Sequence, residues 1–269
     1  MTADERLAQI RPKIERAKLH IGDLEREIRR FLDTNPYKVA IKRDPESRKP
    51  IYYVSSVEPT PSSIALIAGD AIQNLMSALD HMAFQLVCVS TNDNPPNPKW
   101  IFFPIADDAV KYEAKKAGKI QGARQDIVDA IDLIKPYKGG NDLLWILYRL
   151  NSVEKHRLLL TVGSMSGSVN IGQIMHKHIV DDLSKLWPGA IVPAFDFFLR
   201  EAGTNLPMKA GHELFIDAPD AEFDEKLQFR FDIAISEPQV LEAQSLFETL
   251  HQMANLVEGI IAALESKLR

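Results

Sequence analysis

The stretch SSIALIAGDAIQNLMSALDHMAFQLVCVS, residues 62–90, is the most apolar long segment of the chain. Its apolar residues cover most sides of a helical projection rather than one stripe, which is typical of a helix that other elements surround. Pro59 precedes it and the run NDNPPNP at residues 92–98 follows it, so helix-interrupting residues mark both ends. We therefore predict a buried helix over residues 62–90 at the centre of the fold.

Two amphipathic helices are predicted near the ends of the sequence. Apolar residues recur at three- and four-residue spacing from Leu7 to Phe31, and the same spacing runs from Ala243 to Leu264. Each pattern places a narrow apolar stripe on one side of a helix, as in bundles and coiled coils. Both stripes can pack in one bundle within the chain, or one can form a subunit interface. We expect a homo-oligomer, for which a dimer is the simplest form.

Strand-like segments separate the helical ones. Residues 37–58 form two β-rich runs around the turn signal Asp-Pro-Glu-Ser at residues 44–47, which predicts a hairpin. Between residues 160 and 235 the runs SVNIGQIM, AFDFFL, HELFID and LQFRFDIAI alternate with turn residues, a pattern typical of a small antiparallel sheet.

These elements define the predicted fold class, which is α+β. It consists of a bundle of four or five helices, an N-terminal β-hairpin, and a small antiparallel sheet inserted before the C-terminal helix. No clear boundary divides the sequence, so we predict one domain over residues 1–269. The bundle comprises about residues 1–35, 61–159 and 238–269, with the hairpin at about 37–58 and the sheet region at about 160–235.

The composition argues against several function classes. The sequence has 13 glycines and 16 prolines, and neither a Walker sequence nor Gly-x-Gly-x-x-Gly occurs, so no glycine-rich phosphate loop is predicted. A formal net charge of -5 argues against a dedicated DNA surface, which needs clustered cations. The single cysteine, Cys88, permits no intrachain disulfide, which suits a reducing compartment, and its apolar context indicates a packing role.

The same sequence gives an expectation for localisation. No stretch reaches the ~18 charge-free apolar residues of a membrane span, and residues 1–18 lack the apolar core of a signal peptide. We therefore expect a cytoplasmic protein without a membrane partner.

One polar stripe crosses the central helix. Asp70, Asn74, Ser77, His81 and Gln85 recur at helical spacing on an otherwise apolar segment. Burying polar groups is unfavourable unless each finds a partner. The stripe is therefore either a hydrogen-bonded network that fixes the packing of the helix or the floor of a polar cleft.

A second polar group lies in YRLNSVEKHRLLL, residues 148–160, on a helix predicted over about residues 142–159. Arg149 and His156 share one helix face by their spacing, and Asn151 and Lys155 lie on a neighbouring face. A cation and an imidazole on one face can bind a phosphodiester and move a proton, which RNA cleavage requires. The same residues also serve as salt-bridged packing and as cations favoured at a helix C-terminus.

The two segments together resemble a bacterial family of uncharacterised proteins that carry an Asn-Leu-x-Ser-Ala-Leu-Asp-His segment and an Asn-x-x-x-Lys-His-Arg segment. The first segment, GDAIQNLMSALDHMAFQL, also resembles more distantly the Arg-x4-6-His motif of the HEPN superfamily. Many members of that superfamily are metal-independent ribonucleases or nucleotide-binding dimers. His81 matches the motif histidine, whereas Met76 stands at the position of the arginine. Arg149 and His156 offer a substitute Arg-x6-His pair.

We predict a site in which His81 and His156 face each other across two packed helices. The catalytic set would be His81, His156, Arg149 and Glu154, and the ligand-binding set Asn74, Asp80, Asn151 and Lys155. The expected partner is RNA or a small anionic ligand, bound without a cofactor or a metal ion. The catalytic form of this hypothesis is a HEPN-like metal-independent ribonuclease.

Two alternatives belong to other classes. In the first, the chain is a non-catalytic structural or interaction protein, and the polar cluster is a buried hydrogen-bond network. In the second, it is a metal-binding protein that uses histidine and carboxylate ligands. His176 and His178, with Asp181 or Asp182, would form a further metal site if the segment MHKHIV were a strand, because residues two apart on a strand point to one face.

Overall fold

The computed structural model describes residues 1–170, 172–187, 191, 193, 198–200, 208–217, 219, 220, 223 and 227–269, and it confirms the α+β class. The helices are α1 (Ala3–Asp33), α2 (Ser62–Ser90), α3 (Ala109–Lys119), α4 (Gln125–Ile134), α5 (Asp142–Glu154), α6 (Gly172–Leu186) and α7 (Leu246–Glu265). The strands are β1 (Tyr37–Arg43), β2 (Pro50–Val57), β3 (Thr161–Asn170), β4 (Phe198–Arg200), β5 (Glu213–Ile216), β6 (Gln228–Glu237) and β7 (Leu241–Ser245).

Helix α2 lies at the centre, as its composition predicts. Ile64, Leu75, Leu79 and Met82 are fully buried, and α1, α5 and α7 all pack against this helix. Cys88, near the end of α2, is also buried, and burial raises the pKa of its thiol. Much of the helix surface is therefore removed from water, which makes α2 the main source of hydrophobic stabilisation.

The apolar stripes of α1 and α7 are buried within the chain. Helix α1 begins at a capping box between Thr2 and Glu5, and its stripe from Leu7 to Phe31 is covered along its length. The stripe of α7 from Leu246 to Leu264 packs against α1 and α2. The bundle therefore occupies both stripes, and a homo-oligomer, which stays a prediction, would use other surfaces.

The predicted hairpin forms, but its sheet is larger than expected. Strands β1 and β2 pair antiparallel, and the Asp44 carboxylate closes the turn by accepting hydrogen bonds from the backbone and hydroxyl of Ser47, both 2.7 Å. Strand β5, from the predicted C-terminal sheet region, pairs with the outer edge of β2. A second antiparallel sheet has the order β4-β3-β6-β7.

Two local predictions were wrong. The segment from Gly172 to Leu186, including MHKHIV, is helix α6 rather than strand, because Met175, Ile179, Leu183 and Leu186 follow a helical spacing. Residues 241–245, assigned to the C-terminal helix, form β7, after which the Ser245 side chain caps α7. No helix within the described ranges is both long and apolar enough to cross a membrane.

Candidate functional site

Helix α5 ends before the histidine of the second motif. Its last residue is Glu154, Lys155 caps it, and His156 lies exposed in the following turn. Arg157 then pairs with Glu237 on β6, with Nη2 2.7 Å from Oε2, and the backbone N–H of Leu160 donates to the same carboxylate at 2.6 Å. These bonds direct the chain into β3, so Arg149 and His156 do not share a helix face.

His81 also lies away from the expected position. Its Nδ1 is 3.4 Å from the backbone oxygen of Gln9 on α1. On another side of α2, Gly69 contacts Glu154, because a Cβ built at Gly69 would lie only 2.7 Å from the Glu154 Cγ. His81 is 12 residues further along α2, a rotation of about 120° from Gly69, and its ring contacts α1. Within the described residues, no hydrogen bond joins His81 to His156.

The C-terminal part of the polar stripe of α2, at His81 and Gln85, meets α1. Gln85 accepts a hydrogen bond from Arg6 Nη1 at 2.7 Å and donates to the side chain of Gln9 at 2.9 Å. Arg6 is 4% exposed and forms an ion pair with Asp93 at 2.6 Å. This part of the stripe matches the network alternative, since it fixes the N-terminal end of α1 against α2.

Asp80, next to His81 in sequence, faces another direction. It is 11 residues from Gly69, a rotation of about 20°, so it lies on the side of α2 that α5 approaches. Its Oδ1 accepts a hydrogen bond from the Phe103 backbone N–H at 2.9 Å. Burial raises the pKa of this carboxyl, while the bond from Phe103 and the charges of Lys155, Lys119 and His81 oppose the rise.

We call Asp80, Lys119 and Lys155 the Asp80 cluster. Lys155 caps α5, Lys119 ends α3, and both lie close enough to Asp80 to affect its ionisation. Within the described part of the chain, neither lysine forms an ion pair with a carboxylate. The cluster therefore places two cations without ion-pair partners around one half-buried acid.

Arg149 is held by a different carboxylate. Its Nη1 lies 3.7 Å from Asp107 Oδ1, which also accepts a hydrogen bond from the Trp145 indole at 3.3 Å. The bond from Trp145, with the nearby charges of Lys111 and Arg149, lowers the pKa of Asp107. Arg149 is thus partly neutralised before any ligand arrives.

The remaining predicted residues have local partners or none. The Asn74 amide donates to the backbone oxygen of Asp70 in its own helix at 2.8 Å. Asn151 is 7% exposed, and its side-chain oxygen has no hydrogen-bond partner among the described residues. A buried acceptor without a partner is unfavourable, so Asn151 is a point at which a water molecule or a ligand donor would stabilise the fold.

Lys119, Trp100 and Phe102 were not predicted from the sequence. Lys119 belongs to the Asp80 cluster, its Nζ lies 4.6 Å from the centroid of the Phe102 ring, and Trp100 is two residues before Phe102. All four residues of WIFF, residues 100–103, are apolar, so the sequence has no alternation that would separate the exposed positions from the buried ones. The position of this segment beside Asp80 depends on the hydrogen bond between Asp80 and Phe103, which links residues 23 apart in sequence.

No group of three metal-ligating side chains occurs in the residues that the structure describes. His176 lies on α6, where residues two apart point in different directions, so the spacing argument for a shared face with His178 does not apply. The side chains of His178, Asp181 and Asp182 lie outside the described residues.

Comparison of the chain with protein-family models, with curated proteins and with solved structures gives no match. The resemblances to the bacterial family and to the HEPN superfamily therefore stay predictions. The geometry of the Asp80 cluster is what supports a functional proposal.

Proposed function

We propose that this protein binds RNA or a small anionic ligand at the Asp80 cluster. Two observations support the proposal: the charges of Lys119 and Lys155, at the ends of α3 and α5, both act on one half-buried carboxyl, and neither lysine forms an ion pair with a carboxylate in the described ranges. A phosphate between Lys119 and Lys155 would gain two charge-assisted contacts. A proton on Asp80, which burial favours, would remove the charge that repels an anion.

The proposal is for binding rather than catalysis. Cleavage of a phosphodiester needs a proton-transferring group within hydrogen-bond reach of the reacting atoms. The His81 ring contacts α1, and His156 lies in the turn beyond α5. His81 and His156 therefore do not form the pair that the ribonuclease hypothesis requires, although each histidine can be tested separately.

The structural alternative has its own support at His81. Arg6, Gln9, His81 and Gln85 form a contact network between α1 and α2. If these contacts are the role of His81, then His81→Ala lowers the melting temperature, whereas His156→Ala, in an exposed turn, leaves it nearly unchanged. RNA cleavage that either substitution abolishes without a loss of stability would favour the ribonuclease hypothesis instead.

Equilibrium titration tests the binding proposal. We expect the wild-type chain to bind inorganic phosphate and a short labelled RNA, and the double variant K119A/K155A to bind each about tenfold more weakly, since two cation contacts of modest strength are lost. The salt dependence of RNA binding should also become shallower, by about one unit of slope for each lysine that contacts a phosphate.

The matched control is K38A/K209A, which removes two exposed lysines from elsewhere on the chain and changes the net charge equally. It should bind both probes within about twofold of wild type. Equal losses in the two double variants would show that binding depends on overall charge and would overturn the assignment to the Asp80 cluster. Absence of binding by the wild-type chain would overturn the proposed function itself.

A further inference from the structure

Two exposed aromatic residues, Trp100 and Phe102, precede the Phe103 backbone N–H that donates to Asp80. Trp100 is 71% exposed and Phe102 is 37% exposed, whereas Ile101 and Phe103 between and after them are 6% and 3% exposed. Trp100 is the last residue of a short 3-10 helix, Pro98–Trp100, and Ile101 after it has an extended backbone. The two exposed rings therefore flank Ile101, whose own side chain is buried in the core.

The backbone under these rings is held at several points. The Phe103 N–H donates to Asp80 at 2.9 Å, the Phe102 N–H donates to the Lys119 backbone oxygen at 3.1 Å, and the Trp100 N–H donates to Asn97 at 2.9 Å. Ile101 and Phe103 belong to the hydrophobic core cluster. The rings are thus presented by a fixed segment, so a ligand would not have to order that backbone on binding.

Cations adjoin the rings. The Lys119 Nζ lies 4.6 Å from the centroid of the Phe102 ring, and the exposed Lys99 precedes Trp100. As described for Lys119, no carboxylate in the described ranges pairs with Lys99. Exposed aromatic faces beside unpaired lysines match a ligand that carries both negative charge and flat apolar surfaces.

We propose that Trp100 and Phe102 stack against unpaired bases of a single-stranded nucleic acid whose phosphates lie at Lys119 and Lys99. The inference rests on the proposed function and names the class of ligand. That ligand is a single-stranded nucleic acid, for which RNA is the first to test, rather than a small anion. A small anion would use the lysines but gain nothing from the rings. Stacking on aromatic side chains beside a positively charged surface is how proteins bind single strands without reading their sequence.

The proposal requires single strands to bind better than duplexes. Bases in a duplex are stacked on each other, so their faces are closed to Trp100 and Phe102. Stacking does not depend on the sugar, so a deoxy strand should respond to loss of the rings as an RNA strand does. A peptide partner would show no such preference for unpaired nucleotides.

The test measures anisotropy of labelled ten-nucleotide strands, one RNA and one DNA, and of the RNA duplex, together with binding of inorganic phosphate. We expect W100A and F102A each to weaken single-strand binding about tenfold or more. W100A should bind phosphate as wild type does, whereas F102A also removes the ring beside Lys119 and is compared for strand binding alone. The control W187A removes another exposed tryptophan, from the end of α6, and should bind every probe normally.

A second readout follows Trp100 directly. In a W187F background the remaining tryptophans are Trp100 and the buried Trp145, so addition of the RNA strand should quench fluorescence, and W100F should remove most of that quenching while retaining part of the affinity. If K119A/K155A weakens strand binding but W100A and F102A do not, stacking is wrong and the proposed function stands. Duplex binding as tight as single-strand binding would likewise overturn stacking. If wild type binds neither phosphate nor RNA, both proposals fail.

Discussion

Asp80 is a carboxyl group whose folded environment favours the protonated form, because burial outweighs the neighbouring cations and the hydrogen bond from Phe103. The folded state therefore holds this proton more tightly than the unfolded state. The stability that the group contributes is fully present below its ordinary pKa and is lost as the pH rises through the higher folded pKa.

We therefore expect Asp80→Asn to raise the melting temperature at neutral pH, and the gain to shrink on acidification toward the ordinary pKa of aspartate. The asparagine oxygen can still accept the bond from Phe103, so the substitution changes the charge with little change in shape. Thermal melts of both proteins between pH 4 and 8 measure the effect. A variant that is less stable than wild type at neutral pH would show that ionised Asp80 is favoured in the fold.

His81 and Asp80 show how far the sequence predicts the site. The apolar pattern of residues 62–90 predicts that both residues lie on one central helix, and the structure confirms that helix. They are adjacent, yet successive residues on a helix are about 100° apart, so His81 meets α1 while Asp80 meets the segment at Phe103. Spacing gives the faces of one helix, whereas the neighbour that each face meets depends on contacts distant in sequence.

At the scale of elements, α2 and α5 pack closely at a glycine. Gly69→Ala would place its Cβ 2.7 Å from the Glu154 Cγ, so the Glu154 side chain or the helix must move. We expect a destabilisation of about 1 kcal/mol, because strain outweighs the better helix propensity of alanine. The free energy of unfolding in urea measures it, and the double variant Gly69→Ala, Glu154→Ala should recover much of the loss.

Gly118→Ala is the matched control for that substitution. Gly118 also lies inside a helix, α3, but a Cβ there has no neighbour within 4 Å among the residues that the structure describes. This change should stabilise the chain by about 0.5–1 kcal/mol through helix propensity alone. If both alanine variants were equally stable relative to wild type, the contact between Gly69 and Glu154 would not limit the packing of α5.

The helices and strands were predictable where the apolar residues follow a single periodicity, either that of a helix or that of a strand. The long stripes of α1 and α7 and the turn at residues 44–47 have clear local signals. The prediction of a strand in the α6 segment was wrong because a short apolar run fits the periodicity of a helix and of a strand. The pairing of β5 with β2 joins segments distant in sequence, so no nearby residues indicate it.

For the whole molecule, the position of α2 predicts how stability is distributed. We expect backbone amides in the middle of α2 to exchange with solvent only through global unfolding, since buried residues occur on most of its faces. Amides of α3, which has Tyr112 as its buried residue, should exchange at least about a hundredfold faster through local opening. Hydrogen exchange followed by mass spectrometry measures both, and equal protection of the two helices would contradict this expectation.

The pairing of β5 with β2 means that β2 lacks its second neighbour during much of the synthesis of the chain. Residues 213–216 of β5 pair with β2, which ends at Val57, so 155 residues lie between Val57 and Glu213. At about 5–20 residues per second, the ribosome needs roughly 8–30 s to complete that interval. Throughout it the β2 edge has open backbone hydrogen-bonding groups and no third strand, a condition that promotes pairing with other chains. We therefore expect the nascent hairpin to benefit from shielding until β5 has been synthesised.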